Sequence, residues 1–168
     1  MSEKEMEKEE VHFLICNSVL KLEVNKGHLK WTISDISKDS GVTRSLIYYY
    51  FGKEKQTLVE EAFRYMVDVF FDVKSPEDLG LQARMANVLS RLRDMPYAFI
   101  LFFLERRKDT EVGELLRKTE AALSERLKRD FPDMDDDEIL RIYLLELGAV
   151  AYGLEPEKVP DIFQRKGS

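Results

Sequence analysis

The sequence predicts an all-α protein, and three observations carry the prediction. Apolar residues recur at three- and four-residue spacing in one segment after another, the period of a helix with a buried face. No stretch shows the strict alternation of a half-buried strand. Hydrophobic residues make up 44% of the chain and charged ones 35%, with only 5 prolines and 8 glycines in 168 residues, a balance that suits amphipathic helices and not a disordered chain.

The elements follow in order. Val11, Leu14, Ile15, Ser18, Val19 and Leu22 form one inward stripe, so a first helix is expected from about Lys4 to Val24, stopped by Asn25 and Gly27. After a loop through Trp31, Thr32 can cap a short second helix that turns Ile33 and Ile36 inward and ends near Asp39. Gly41 supplies the positive φ of a tight turn, Val42 plugs the interior, and Thr43 caps a third helix from about Arg44 to Tyr50. A fourth begins near Lys53 with Leu58, Ala62, Met66, Val69 and Val73 along one side. Ser75, Pro76, Glu77 and Asp78 read as the start of a fifth, running to about Asp94. Pro96 opens an apolar sixth, and a seventh spans roughly Thr110 to Arg129. Asp135, Asp136 and Asp137 favour the N-terminus of an eighth by attraction to its dipole, and a short last helix is expected from Glu157 to Gln164 with Val159, Ile162 and Phe163.

The net charge of -6 weighs against a nucleic-acid partner until its distribution is considered. Residues 1–58 hold nine basic and nine acidic residues, and five of those acids lie in the first ten positions. Beyond them, Lys21, Lys26, Lys30, Lys38, Arg44, Lys53 and Lys55 face only Glu23, Asp35, Asp39 and Glu54. The longest apolar run, Tyr97 to Leu104, is far below the roughly 20 residues that cross a bilayer. The charged start is not expected to be a signal peptide, so a cytoplasmic protein with no membrane partner is expected. Cys16 has no second cysteine to pair with and reads as buried packing.

The sharpest signal runs from Thr32 to Phe51. A helix-turn-helix needs a small residue where its helices cross, glycine at the turn four positions later and an apolar residue inside the second helix; Ser37, Gly41 and Ile47 meet those needs. Thr43, Arg44, Ser45, Tyr48, Tyr49 and Tyr50 would then cluster at the reading helix, where side chains meet bases and phosphates. Taken alone, the tyrosine run fits a core or a partner surface as well as DNA contact; the surrounding motif favours DNA.

Thr32, Ile36, Gly41, Val42, Ile47, Tyr48, Tyr50 and Phe51 together resemble the signature of the tetracycline-repressor family, with Ile15, Ser18, Leu22 and Gly27 fitting its first helix. The resemblance covers about 50 residues. It implies an N-terminal three-helix DNA-binding domain, residues 1–52, and a C-terminal helical bundle, residues 53–168, that dimerises and often binds a small apolar effector. The implied partners are a palindromic double-stranded DNA operator and a second copy of the chain, and the implied output is repression. The implied DNA contacts are Thr32, Ser34, Thr43, Arg44, Ser45, Tyr48, Tyr49 and Tyr50, with Arg44 the candidate for guanine because a guanidinium can donate twice to one guanine edge. Three departures stand out. Ser37 and Ser40 replace alanines, Glu54 stands where a phosphate-contacting lysine is common, leaving Lys53 or Lys55 for that role, and acidic residues take the place of a basic arm.

The eighth helix has two apolar faces, and the row Leu140, Leu144, Leu147, Ala151 and Leu154 is expected to dimerise. Tyr97, Phe99, Phe102 and Phe103 of the sixth helix would line an effector pocket or simply form core. His12 and His28 lack neighbours at metal-ligand spacing, and Trp31 reads as packing at a helix junction. Arg106, Arg107 and Lys108 read as a solvated helix end, with binding of an acidic partner as the alternative. No catalytic constellation is present, so neither an enzyme nor a cofactor is expected. The rival reading is a helical protein-interaction module on the same scaffold, motivated by the acidic chain.

Overall fold

The computed structural model describes residues 3–71 and 80–162. They form α1 (Glu3–Lys26), α2 (Ile33–Ser40), α3 (Arg44–Phe51), α4 (Lys55–Phe70), α5 (Leu81–Arg93), α6 (Pro96–Glu105), α7 (Glu111–Asp130), α8 (Asp136–Tyr152), a 3-10 turn (Pro156–Lys158) and α9 (Val159–Ile162), with no strand among the described residues. The expected all-α class is what is observed. The chain divides into two compact units, Met1–Met66 and Val67–Ser168.

Helix ends fall close to those the sequence suggests. Helix α4 starts at Lys55 and not Lys53, because Gly52, at φ 76°, ends α3 by donating its N–H to the Tyr48 carbonyl. The start signal at 75–78 and Val73 lie outside the described residues, where α5 is followed from Leu81 with Gly80 at its N-cap. Phe163 and Gln164 also lie outside them.

In the first unit α1 buries Ile15, Cys16, Val19 and Leu20, so the buried stripe is wider than its sequence pattern suggested. Burial pushes the Cys16 thiol well above its usual range, with the Glu61 carboxylate adding to it. His12 is stacked on Phe51 at 5.1 Å between ring centroids and meets the edge of Tyr65. Helix α4 buries Leu58, Ala62 and Met66 on the expected side and Val59 and Phe63 beside them.

The connection from α1 to α2 is organised around one carboxylate. Glu23 is 8% exposed, and it accepts from the Leu29 N–H at 3.0 Å and from the Trp31 indole N–H while the His28 ring nitrogen lies 2.8 Å away. Leu29 has φ 55°, a left-handed conformation that a leucine adopts only when its surroundings over-determine it. The second clamp comes from α4, where Lys55 donates to the Leu29 carbonyl at 2.9 Å and its ammonium stands 5.5 Å from the centre of the Trp31 ring. Trp31 itself is fully buried, as its place at the helix junction suggested.

The second unit is built on aromatic and aliphatic contacts. Phe70 stacks on Phe102 with centroids 4.3 Å apart, and Phe71, Phe99 and Phe103 surround that pair. Met85, Leu89, Ala149 and Val159 make a core among α5, α8 and α9. Gly113 lets α7 approach the end of α6: a Cβ there would stand 2.2 Å from the Lys108 carbonyl oxygen. Asp135 caps α8 reciprocally with Glu138, which is what the acidic run before that helix supplies.

Removing the Glu23 carboxylate leaves the Leu29 and Trp31 N–H groups without an acceptor, and each buried orphan costs about 1–3 kcal/mol. Glu23→Ala is therefore expected to lose about 2–4 kcal/mol of stability in urea unfolding followed by the fluorescence of the single tryptophan. A loss below about 0.5 kcal/mol, within the range of an ordinary surface substitution, would refute that role.

Candidate nucleic-acid interface

Helices α2 and α3 are joined by a three-residue turn, 41–43, whose geometry follows from its residues. Gly41 sits at φ 72° and donates to the Ser37 carbonyl, closing α2. Nothing lies within 4 Å of where its Cβ would be, so glycine is needed there for its backbone and not for space. Ser40 donates to the Ile36 carbonyl at 2.7 Å and accepts from the Val42 N–H at 3.2 Å. Its hydroxyl thus ties the turn together, a role an alanine could not fill. Val42, Ile36 and Ile47 are buried beneath the turn, and Thr43 caps α3 by accepting from the Leu46 N–H.

This packing turns one face of α3 outward. Arg44 and Ser45 are exposed, Tyr49 is 78% exposed, Tyr48 is 38% exposed, and Tyr50 is half-buried with its ring against Tyr49 at 5.1 Å. From α2, exposed Ser34 lies 3.5 Å from the Arg44 guanidinium. Thr32 is exposed at the start of α2 and forms a capping box with Asp35. Arg44, Ser45, Tyr48 and Tyr49 are thus exposed on α3, with Arg44 beside Ser34 of α2.

The charges of this region are sorted by pairing. Asp35 is bound by Lys26 at 2.7 Å and Asp39 by Lys21, both lysines coming from α1. The Lys26 ammonium, with the Thr32 N–H and hydroxyl, lowers the Asp35 carboxyl to about 2. With those acids engaged, Lys38, Arg44 and Lys53 remain exposed cations with no carboxylate in ion-pair distance among the described residues. Lys55 is committed to the Leu29 carbonyl and Trp31, so Lys53 is the lysine on offer beside Phe51. Lys38, one turn along α2 from Ser34, was within reach of the sequence pattern but not singled out by the motif. Glu23 carried no signal, since an acid in an apolar helix face reads as solvated until the loop folds over it.

The remaining candidate residues lie in the second unit. Phe102 is fully buried, Phe103 is 52% exposed, and both line a cavity of about 600 Å³ between the end of α6, α7 and α8. Phe99 lines a separate cavity of about 360 Å³, and Tyr97 lines neither. On α8, Leu140, Leu144 and Ala151 are exposed and Leu147 is half-buried, while Leu154 packs on its own chain's Met85–Leu89 core. Leu145 and Tyr152, outside the expected row, are 47% and 85% exposed.

No family model, curated protein or solved structure matches this chain.

A carboxylate whose pKa is lowered in the folded state stabilises that state above its ordinary pKa and loses the effect as pH falls through the lowered value. For Asp35, carboxyl chemical shifts should titrate with a midpoint near 2. Lys26→Ala should move that midpoint up, and an unchanged midpoint in this variant would show that the α1–α2 ion pair does not form.

Proposed function

We propose that the chain is a DNA-binding transcription regulator of the tetracycline-repressor type. The observation that carries the reading is the exposed set Ser34, Arg44, Ser45, Tyr48 and Tyr49 on two helices locked by the Gly41 turn, with Lys38 and Lys53 exposed and without an ion-pair partner among the described residues. Such a turn fits a helix-turn-helix, in which the second helix enters the major groove with its N-terminal residues at the base edges. Arg44, the first residue of α3, is in the position to donate to a guanine. Thr43 and the tyrosine hydroxyls supply phosphate contacts, which fix register without reading sequence. Lys53 takes the phosphate role that Lys55, held on Trp31, does not.

The reading requires a second copy, because a palindromic operator presents two half-sites about 34 Å apart. Helix α8 offers the surface: Leu144, Leu145, Gly148, Ala151 and Tyr152 are exposed and fall on one side of the helix. The output of operator occupancy would be repression, and a ligand would relieve it only by favouring one spacing of the two reading helices over another. The rival reading, a helical interaction module, draws on the same exposed α8 face and on the net charge of -6.

Selection from a randomised duplex library at a fixed salt concentration separates the two. The wild type is expected to enrich a palindrome, and an Arg44→Ala, Tyr48→Ala double variant, whose substitutions lie on the exposed face, is expected to lose it. Enrichment of a single half-site would leave DNA reading intact and remove the dimer. No enrichment at low salt would favour the interaction module.

A further inference from the structure

The cavity between the end of α6, α7 and α8 combines an apolar floor with a charged wall. At about 600 Å³ it is within the range of small-molecule sites, roughly 300–1,000 Å³. Its floor is apolar, from Phe102, Leu123, Leu127 and Ile139. Its wall carries four cations, Arg106, Arg107, Arg117 and Lys128, against two carboxylates, Glu120 and Asp136, in a chain that is acidic as a whole.

The cations are not spread evenly. Lys128 is bound to Asp136 at 2.9 Å, at the end where α7 gives way to α8. The three arginines gather at the opposite end. Arg106 grips Glu120 with both Nε and Nη2, at 3.0 and 2.8 Å, and Arg117 donates to the Arg106 and Lys108 carbonyls, both at 3.0 Å. Arg117 has no carboxylate in ion-pair distance among the described residues, and Arg107 is exposed with no partner among them. The Tyr143 hydroxyl, on α8, is out of solvent beside the Arg106–Glu120 pair and interacts with both of its members. From Arg117 to Lys128 the groove follows α7 for about 16 Å at 1.5 Å per residue.

We infer that this cavity binds an amphipathic organic anion of the alkanoate class, its carboxylate at the Arg107, Arg117 and Tyr143 end and its chain along the floor between α7 and α8. An elongated apolar channel with surplus positive charge at one end matches a single headgroup on an alkyl tail. A neutral apolar molecule would leave Arg107 and Arg117 without a counter-charge, and a cation would meet like charge. The inference rests on the effector part of the regulator reading but not on DNA binding: it concerns the second unit alone and is measured without DNA.

Titration calorimetry on the full chain with decanoate, decanol and decylamine tests it, since the three differ only in the head. Decanoate is expected to bind about tenfold more tightly than decanol, the worth of one charge-assisted hydrogen bond, and decylamine more weakly than either. Arg107→Glu, at an exposed side chain with no hydrogen bond or ion pair among the described residues, should bring decanoate to the level of decanol or below and leave decanol unchanged. Tyr143→Phe, which removes only the hydroxyl, should weaken decanoate and spare decanol. Equal binding of all three ligands, or of decanoate to the wild type and both variants, overturns the inference. Absence of decanoate binding overturns it as well, and sedimentation of that sample then reads whether the chain has self-associated. Because duplex selection is a separate measurement, failure here leaves the DNA-binding reading standing, and its failure leaves this one.

Discussion

The buried Glu23 carboxylate is the constraint on which the first unit turns. It sits on α1 yet holds the loop that launches α2, accepting from the Leu29 N–H and the Trp31 indole. A buried carboxylate is costly unless its hydrogen bonds are supplied, and here backbone and side chain supply them together. The loop in turn carries Leu29 in a left-handed conformation that has no intrinsic preference to recommend it. Lys55 secures the other side of that loop from α4. The direction in which α2 leaves, and with it the outward face of α3, follows from this small knot of polar contacts over a buried tryptophan.

A second consequence is electrostatic. Once α2 is set beside α1, Lys26 and Lys21 reach Asp35 and Asp39 and neutralise the acids of α2. Lys38, Arg44 and Lys53 are left exposed, with no carboxylate in ion-pair distance among the described residues. An acidic chain can present a cationic face in this way without any change in its net charge, because what a phosphate backbone meets is the local excess and not the total. The same sorting occurs in the second unit, where Glu120 and Asp136 take up Arg106 and Lys128 while Arg107 and Arg117 are left over.

Much of this was legible in the sequence where local chemistry decides it. Thr32, Thr43 and the acidic run at 135–137 announce helix starts because a cap is a contact within four residues. Gly41 announces its turn because positive φ is a property of one residue. What escaped were contacts between residues far apart in the chain. Lys55 looks like a surface lysine until Leu29 and Trp31 are seen beneath it, 26 and 24 positions earlier. Leu154 continued a row of apolar residues on α8, but the chain turns at Gly153 and sends it into its own core.

The central claim is that the α2–α3 region of an acidic chain meets phosphates through Lys38 and Lys53 while Arg44 reads a base. The most direct test is the salt dependence of binding to a duplex, by fluorescence anisotropy over a range of ionic strength. Two such contacts in each of two copies predict that log K falls against log salt with a slope of about -4. A slope near zero would mean that no phosphate charge is neutralised on binding, and would contradict the account.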